Sequence, residues 1–392
     1  MSKVIVHIDL NAFFVRAEEI KNPSLEGKAV AIGHNGRGGV VSTCSYKARE
    51  FGIRSAMPMN KAVKLCPELI IIPGDYHFYA AKSYEFKQFV KTYTSLVEEA
   101  SIDEVYADFT KQINGVEDVE AYFKDFQNKL FEATSLKCSI GIGPSKFLAK
   151  MGSDYRKPMG ITIIRKKDIT NILFPLKISD MFGVGKKSTP RLENIGIKNI
   201  GDLYEHLINN DEDTLNILGK SSSTLLEWLQ GGGDDNIVCE FEEAKSIGNS
   251  TTLKEDTARY ETIKEYFDLI ARQVSFRAKK EDLYGSTIQI MVKDTSYVAH
   301  NKSITFDTPT NDDQTILNIA LKLYEKNFLD MTIRALGITL QNLVSKQDMV
   351  VQMTFFDYEI HENESQTKLL INEINRKIRG PKLKRASEAK NK

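Results

Sequence analysis

Adjacent carboxylates are the first residues in this chain that point to chemistry. Asp103 and Glu104 stand side by side in the run Glu98-Glu99-Ala100-Ser101-Ile102-Asp103-Glu104-Val105-Tyr106-Ala107-Asp108-Phe109. Neighbouring side chains of a regular strand point to opposite faces, so both reach one ligand only at a bend or hairpin tip. Two carboxylates held there repel unless a cation lies between them, which is how Mg²⁺ sites are commonly built. An Asp-Glu pair in a solvated turn is ordinary, so the metal reading needs a third carboxylate from elsewhere. Asp9 supplies one, at the end of the apolar run Val4-Ile5-Val6-His7-Ile8. That run reads as a buried strand, and strand ends are where open α/β sheets place functional groups. Three such carboxylates can hold two divalent ions about 3.5–4 Å apart, the arrangement used for in-line phosphoryl transfer.

A second pair suits phosphate. Val41-Ser42-Thr43-Cys44-Ser45-Tyr46-Lys47-Ala48-Arg49 reads as a strand entering a capped helix. Tyr46 and Arg49 are three apart and share a face near a helix N-terminus that already favours anions. Together they suit a triphosphate, although an exposed Arg beside a half-buried Tyr is the plainer account of that segment alone.

The elements that must position these groups follow from periodicity. Asn11 is predicted to cap a helix running through Phe13 and Phe14 to Ile20. Strands are predicted at 28–33 and 39–43, then a long helix at 75–94 whose aromatic residues form a core stripe. After the acidic turn come a helix near 116–134, a strand at 138–142, a helix near 145–154 and a strand at 161–164. This alternation over 1–165 predicts an α/β or α+β layer fold with helices packed on a sheet. From 166 to 235 the pattern changes to short helices around Met181-Phe182-Gly183-Val184-Gly185-Lys186-Lys187. Gly183 and Gly185 between helices suggest a helix-hairpin-helix, whose free amides grip a DNA phosphate without reading sequence, with Lys186 and Lys187 adding charge. Gln230-Gly231-Gly232-Gly233-Asp234-Asp235 reads as a linker, and 246–341 as a βαββαβ module with two helices on one sheet face. The tail carries Val350-Val351-Gln352-Met353-Thr354-Phe355-Phe356, a helical pattern near 365–377 and a basic end.

Composition sets the outer limits. A chain of 392 residues, 41% apolar and 27% charged, has material for two to four soluble domains. Its formal net charge is zero, so any basic surface must be local. The four cysteines form no C-x-x-C pair, which speaks against a zinc site or a disulfide frame. No signal peptide or membrane-length apolar run is evident, so a cytoplasmic protein is expected.

Four motifs in order resemble the Y-family, or lesion-bypass, DNA polymerases of the bacterial polymerase IV and V class. They are Asp9-Leu10-Asn11-Ala12-Phe13-Phe14, Ser45-Tyr46-Lys47-Ala48-Arg49, Ala100-Ser101-Ile102-Asp103-Glu104 and Lys157-Pro158-Met159-Gly160. The resemblance covers about 1–345 and implies an α+β right-hand architecture. Its palm would be 1–10 and 75–165, its fingers 11–74, its thumb 166–235, a linker 236–243 and a βαββαβ little finger 244–343. Residues 344–392 would be a tail with a clamp-binding peptide. By the same resemblance Asp9, Asp103 and Glu104 would bind two Mg²⁺ ions, with Leu10 lending a backbone carbonyl. Tyr46, Arg49 and Lys157 would hold the incoming triphosphate, Phe14 would be the steric gate under the sugar, and Ser42 would lie near the nascent base pair. Arg334 would track the DNA backbone. Gln352, Phe355 and Phe356 look like the peptide that binds a sliding clamp. The implied activity is template-directed addition of dNTPs to primer-template DNA by a low-fidelity enzyme without proofreading, working as a monomer in DNA damage tolerance. Asn11 departs from the Asp carried by many members, which blurs assignment to the IV or V branch.

Overall fold

The computed structural model describes residues 3–240 and 244–346. The chain divides into two compact units that part near residue 242. Both mix helix and sheet, as expected of an α+β protein. The clamp-like peptide at 352–356 lies outside the described residues.

The first unit is built on a five-stranded sheet of β1 (Ile5–Leu10), β5 (Val97–Glu99), β6 (Glu104–Asp108), β7 (Cys138–Gly143) and β8 (Ile161–Ile163), in the order β5-β6-β1-β7-β8. Between β1 and β5 the chain makes α1 (Phe13–Lys21), a small sheet of β2 (Val30–Gly33), β3 (Val41–Cys44) and β4 (Ile70–Ile72), and helices α2 (Tyr46–Glu50), α3 (Met59–Leu65) and α4 (Tyr76–Lys91). Helices α5 (Val119–Thr134) and α6 (Lys146–Tyr155) complete the layers.

Strand β1 is the middle of the sheet and every one of its residues is buried, which is why its sequence is nearly continuous in apolar residues. Period two divides it. Val6, Ile8 and Leu10 join Tyr79, Phe86 and Val90 of α4 and Phe123, Phe126 and Leu130 of α5 in one core, so the aromatic stripe of α4 is core, as its spacing predicts. Ile5, with Tyr106, meets Ala149 of α6 in a smaller cluster on the other side. His7 and Asp9 follow Ile5 on that side, and they carry the polar chemistry.

Helix α6 lies unusually close to the sheet, and glycine permits it. A methyl group on Gly141 of β7 would stand 1.9 Å from the Ala149 carbonyl oxygen, and one on Gly152 of α6 would stand 3.0 Å from the Gly141 Cα. Backbone therefore meets backbone there. The N-terminus of α6 is fixed by Ser145, whose side chain accepts from Leu148 N.

From 166 to 229 the unit continues in short helices: α7 (Ile169–Ile172), α8 (Thr189–Asn194), α9 (Ile200–Ile208), α10 (Glu212–Leu218) and α11 (Ser221–Leu229). They share a core that includes Ile178, Leu192, Leu203 and Leu225. The glycine-rich stretch that follows has the composition of a linker, but it is tied down. Lys146 N donates to the Asp234 carbonyl at 2.8 Å, Lys3 pairs with Asp235 at 3.1 Å, and Val238 N donates to Glu98 Oε2 at 2.8 Å. Residues 234–238 are thus tied to the rest of the first unit.

The second unit has the predicted order: β9 (Ser246–Thr257), α12 (Tyr260–Lys280), β10 (Leu283–Asp294), β11 (Ala299–Thr310), α13 (Asp313–Phe328) and β12 (Ile333–Ser345). Its antiparallel sheet runs β11-β10-β12-β9. Phe267, Ile270 and Val274 of α12 and Ile316, Ala320 and Tyr324 of α13 pack on Ile288, Ile290, Leu336 and Ile338. The opposite face carries hydroxyl and amide groups: Thr287 is registered with Thr305 and Gln341, and Gln289 with Ser303 and Thr339. The helical pattern near 365–377 lies outside the described residues.

Candidate active site

Asp9 and Glu104 are register partners on neighbouring antiparallel strands, so their side chains rise from the same face. Asp103 sits one residue earlier, at the end of the β5–β6 hairpin, the bend that two adjacent carboxylates require. Its carbonyl accepts from Leu10 N at 3.0 Å, and its side chain accepts from Ser101 Oγ at 2.8 Å. All three carboxylates line one open cleft enclosing about 750 Å³ of empty space, and so do Leu10, Phe14, Ser42, Tyr46, Arg49 and Lys157. Four separate motifs are thereby brought into one place.

Two lysines stand among the acids. Lys150 Nζ lies 2.7 Å from Glu104 Oε1, 3.3 Å from Asp9 Oδ2 and 3.4 Å from Asp154 Oδ2. Lys157 Nζ lies 2.6 Å from Asp9 Oδ2 and 2.7 Å from Asp154 Oδ1. Burial, followed by the neighbouring Glu104 carboxyl, pushes Asp9 up to about 7 against the pull of both ammoniums. Burial would push the Lys150 ammonium down, but Asp154, Asp9 and Glu104 outweigh it and hold the group charged. Lys157 is likewise held above its ordinary value against burial, by Asp9 and Asp154.

His7 lies beneath this cluster, fully buried, with Nδ1 2.7 Å from Ser153 Oγ. Its Nε2 is 3.7 Å from Glu104 Oε2, too long for a hydrogen bond, and burial lowers its pKa, so the ring is neutral. Asn11 does not cap α1. Ala12 takes the N-cap position in a left-handed conformation, with φ of 46°. The Asn11 amide is engaged across the sheet instead: it donates to Ser139 Oγ at 2.9 Å and accepts from Met159 N at 2.8 Å. It thus ties the end of β1 to the Lys157–Gly160 loop.

On the far side of the cleft, Ser45 caps α2 by accepting from Ala48 N, and the Arg49 guanidinium stacks on the Tyr46 ring at 4.5 Å. The Phe14 ring stacks on Tyr79, with centroids 4.4 Å apart and planes within 14°. Tyr79 is fully buried and its hydroxyl donates to Glu18 at 2.7 Å. Phe13 is 2% exposed and belongs to the core; its ring packs 5.4 Å from that of Phe14, and both residues line the cleft.

The glycine hairpin lies elsewhere in the first unit. Gly183 adopts φ of +93°, and a side chain there would press on Leu225 and Trp228. Among the described residues the amides of Gly185, Lys186 and Lys187 meet no backbone acceptor. Arg334, in the second unit, is not a free cation. Its Nε and Nη2 pair with Asp256 at 3.1 and 2.7 Å, and its guanidinium stacks on Tyr297 at 4.2 Å.

Sequence reasoning missed Lys150, Asp154 and His7. The available signal was a lysine at the buried centre of Phe147-Leu148-Ala149-Lys150-Met151, since lysine is seldom buried unless paired. Among the described residues no three acidic, histidine or cysteine side chains converge into a finished metal cage. The donors nonetheless suit a hard divalent cation. They are carboxylate oxygens only, and Asp9 and Glu104 are register partners on neighbouring strands, where a cation can meet both.

The impB/mucB/samB family model matches residues 8–154, and the model of that family's C-terminal domain matches 244–355. The chain belongs to the impB/mucB/samB family, as a DinB-like Y-family DNA polymerase. The DNA polymerase IV of Bacillus velezensis is 36% identical over 96% of this chain and 90% of its own length. DNA polymerase IV 1 of Bacillus subtilis is also 36% identical, over 97% of this chain and 92% of its own. Among solved structures, a Y-family DNA polymerase chimera of Dbh and Dpo4 superposes with a TM-score of 0.77 at 24% identity, covering 88% of this chain and all of its own. Membership of this family of polymerases implies dependence on a divalent metal. Among the described residues no helix is long and apolar enough to cross a membrane.

Proposed function

We propose that the protein is a translesion DNA polymerase that adds dNTPs to a primer 3′ end with two Mg²⁺ ions, at low fidelity and without proofreading. One observation carries this reading: a single cleft is lined by Asp9, Asp103 and Glu104 on one side and by Tyr46, Arg49, Lys157 and Phe14 around them. Asp9, Asp103 and Glu104, with the Leu10 carbonyl, would hold the ions. When bound, the ions lower the pKa of the primer hydroxyl and neutralise charge on the triphosphate and the leaving pyrophosphate.

The chain's own residues supply position and selection. Arg49, held over the Tyr46 ring, presents its N–H groups to triphosphate oxygens, and Lys157 adds a point charge. Phe14 cannot retreat, because buried Tyr79 backs its ring. A ring fixed at the sugar leaves space for hydrogen at C2′ but not for a hydroxyl. Ser42, a small residue lining the same cleft, leaves room for a distorted base pair.

In this reading residues 1–10 and 75–165 are the palm, 11–74 the fingers, 166–235 the thumb and 244–343 the little finger. The amides of Gly185, Lys186 and Lys187 bind a DNA phosphate, and the hydroxyl-lined face of the second unit follows the backbone without reading bases. Arg334 contributes to the phosphate only by sharing or leaving Asp256. Gln352, Phe355 and Phe356 dock on the sliding clamp, and the enzyme acts as a cytoplasmic monomer.

Primer extension on plain and damaged templates tests the reading. Addition of a few nucleotides per encounter, past a lesion and from an uncut mismatched end, is expected. Sustained removal of a 3′ mismatch that is lost with Asp9→Ala refutes the absence of proofreading. Cyclic nucleotide as the product, with no primer extended, replaces the polymerase reading by a cyclase.

A further inference from the structure

We propose that Lys150 and Asp154 form a counter-ion exchange that sets the metal affinity of the cleft. Lys150 holds Asp9 and Glu104 while no divalent ion is bound, and Asp154 receives its ammonium when one binds. The inference rests on the reading of Asp9 and Glu104 as metal ligands.

The geometry is that of a closed ring of opposite charges. Lys150 bridges Glu104, Asp9 and Asp154, and Lys157 bridges Asp9 and Asp154. Lys150 therefore shares two partners with the metal and Lys157 shares one, and each has one further partner that is not a ligand. That further partner is the same residue for both. Asp154 is four residues after Lys150 and three before Lys157, so it faces both from the last turn of α6. Its side chain is 40% exposed, against 7% for Asp9. An ammonium drawn toward Asp154 moves toward solvent, where its charge is cheapest to keep.

A divalent ion needs the oxygens that Lys150 now contacts. Mg²⁺ or Mn²⁺ bonds a carboxylate oxygen at roughly 2.1 Å and repels an ammonium on the same oxygen. The lysine stem is flexible enough to pivot without moving the backbone. The backbone has no freedom to help, because Gly141 and Gly152 are in contact beneath it. Lys150 thus competes with the metal, and Asp154 relieves the competition. Asp154 touches neither substrate nor metal and is a positioning residue.

The two residues carry opposite signs, which no merely structural role does. Lys150→Met removes the competitor and keeps the length of the stem; Asp154→Asn removes the alternative partner and leaves both ammoniums on Asp9 and Glu104. Binding of Mn²⁺ alone to the full chain, without DNA or nucleotide, is read from the electron paramagnetic resonance of the free ion. Lys150→Met should tighten binding about tenfold and Asp154→Asn should weaken it about tenfold, the scale of outer-partner effects on metal sites. Lys150→Gln serves the same purpose if circular dichroism finds the Met variant unfolded. Unchanged or weaker binding in a folded Lys150 variant, or unchanged binding in Asp154→Asn, overturns the exchange. Mn²⁺ binding that survives Asp9→Asn undiminished overturns the metal reading itself, and the exchange with it.

Discussion

The two large sheets of this protein are built alike and dressed differently. Each has helices packed on an apolar face, but the five-stranded sheet has α4 and α5 on one side and α6 on the other. Among the described residues of the second unit, the four-stranded sheet has α12 and α13 on one side and no helix on the other. In the first, charged groups stand beside the sheet where the effective dielectric is low, and Lys150, Lys157, Asp9 and Asp154 each have two or three partners of opposite charge. In the second, the open face offers Thr, Ser and Gln side chains that bond one another, such as Thr287 with Thr305 at 2.8 Å. Chemistry at one atom needs enclosure, because fields are strong and positions fixed there. Contact with a repeating polyanion needs the reverse: a surface on which no single group is decisive.

If that contrast is right, substitutions should cost most in the enclosed sheet. Asp103→Ala or Glu104→Ala should lower turnover about a thousandfold or more, with binding of primed DNA nearly unchanged by fluorescence anisotropy. Near-normal extension with Mg²⁺ by either variant would break the comparison at its strongest point. Next comes selectivity at the cleft wall. Phe14→Ala should reduce the dNTP-to-rNTP ratio of kcat/KM about a hundredfold, while Phe13→Ala should lose about 3–5 kcal/mol of stability. An unchanged ratio in a folded Phe14 variant moves the sugar pocket elsewhere. Beyond the described residues, replacing Phe355 and Phe356 with Ala should abolish stimulation by the sliding clamp and spare basal extension, since such anchors are worth about 2 kcal/mol each. Equal loss of both activities would assign those rings to the fold instead. The smallest effect belongs to the open sheet. Arg334→Ala should weaken DNA binding only a few-fold and lower the salt slope by about one. Asp256→Asn, by releasing the guanidinium, should tighten it; a hundredfold loss from Arg334→Ala would show that one group is decisive after all.

Strands and their order were legible because period two and turn residues leave a strong signal. β1, the β5–β6 hairpin and the whole βαββαβ module could be read this way, and the four motifs marked the cleft. What escaped was partnership. Lys150 occupies an ordinary helical position, and only the register of β1 with β6 reveals two carboxylates beside it. Asn11 precedes a helix, as caps do, yet a loop nearly 150 residues later claims its side chain. Asp234 and Asp235 have linker composition, but Lys146 and Lys3 tie them down. Arg334 has the right charge in the right module, and Asp256 already holds it. Each case turns on a contact distant in sequence, which composition cannot carry.

The contact of Gly141 with Gly152 has a consequence for anyone wishing to alter this enzyme. Most packed interfaces contain a cushion of side chains that can rotate when a neighbour grows. Here there is none: a single added methyl meets main-chain atoms on both elements, and α6 can only lift as a body. Lys150, Ser153 and Asp154 would travel with it, so every charge spacing in the cleft would change together. The spacing is thus set by the thickness of two peptide backbones, like a gauge block, and selection for new substrates will have to leave those two positions alone.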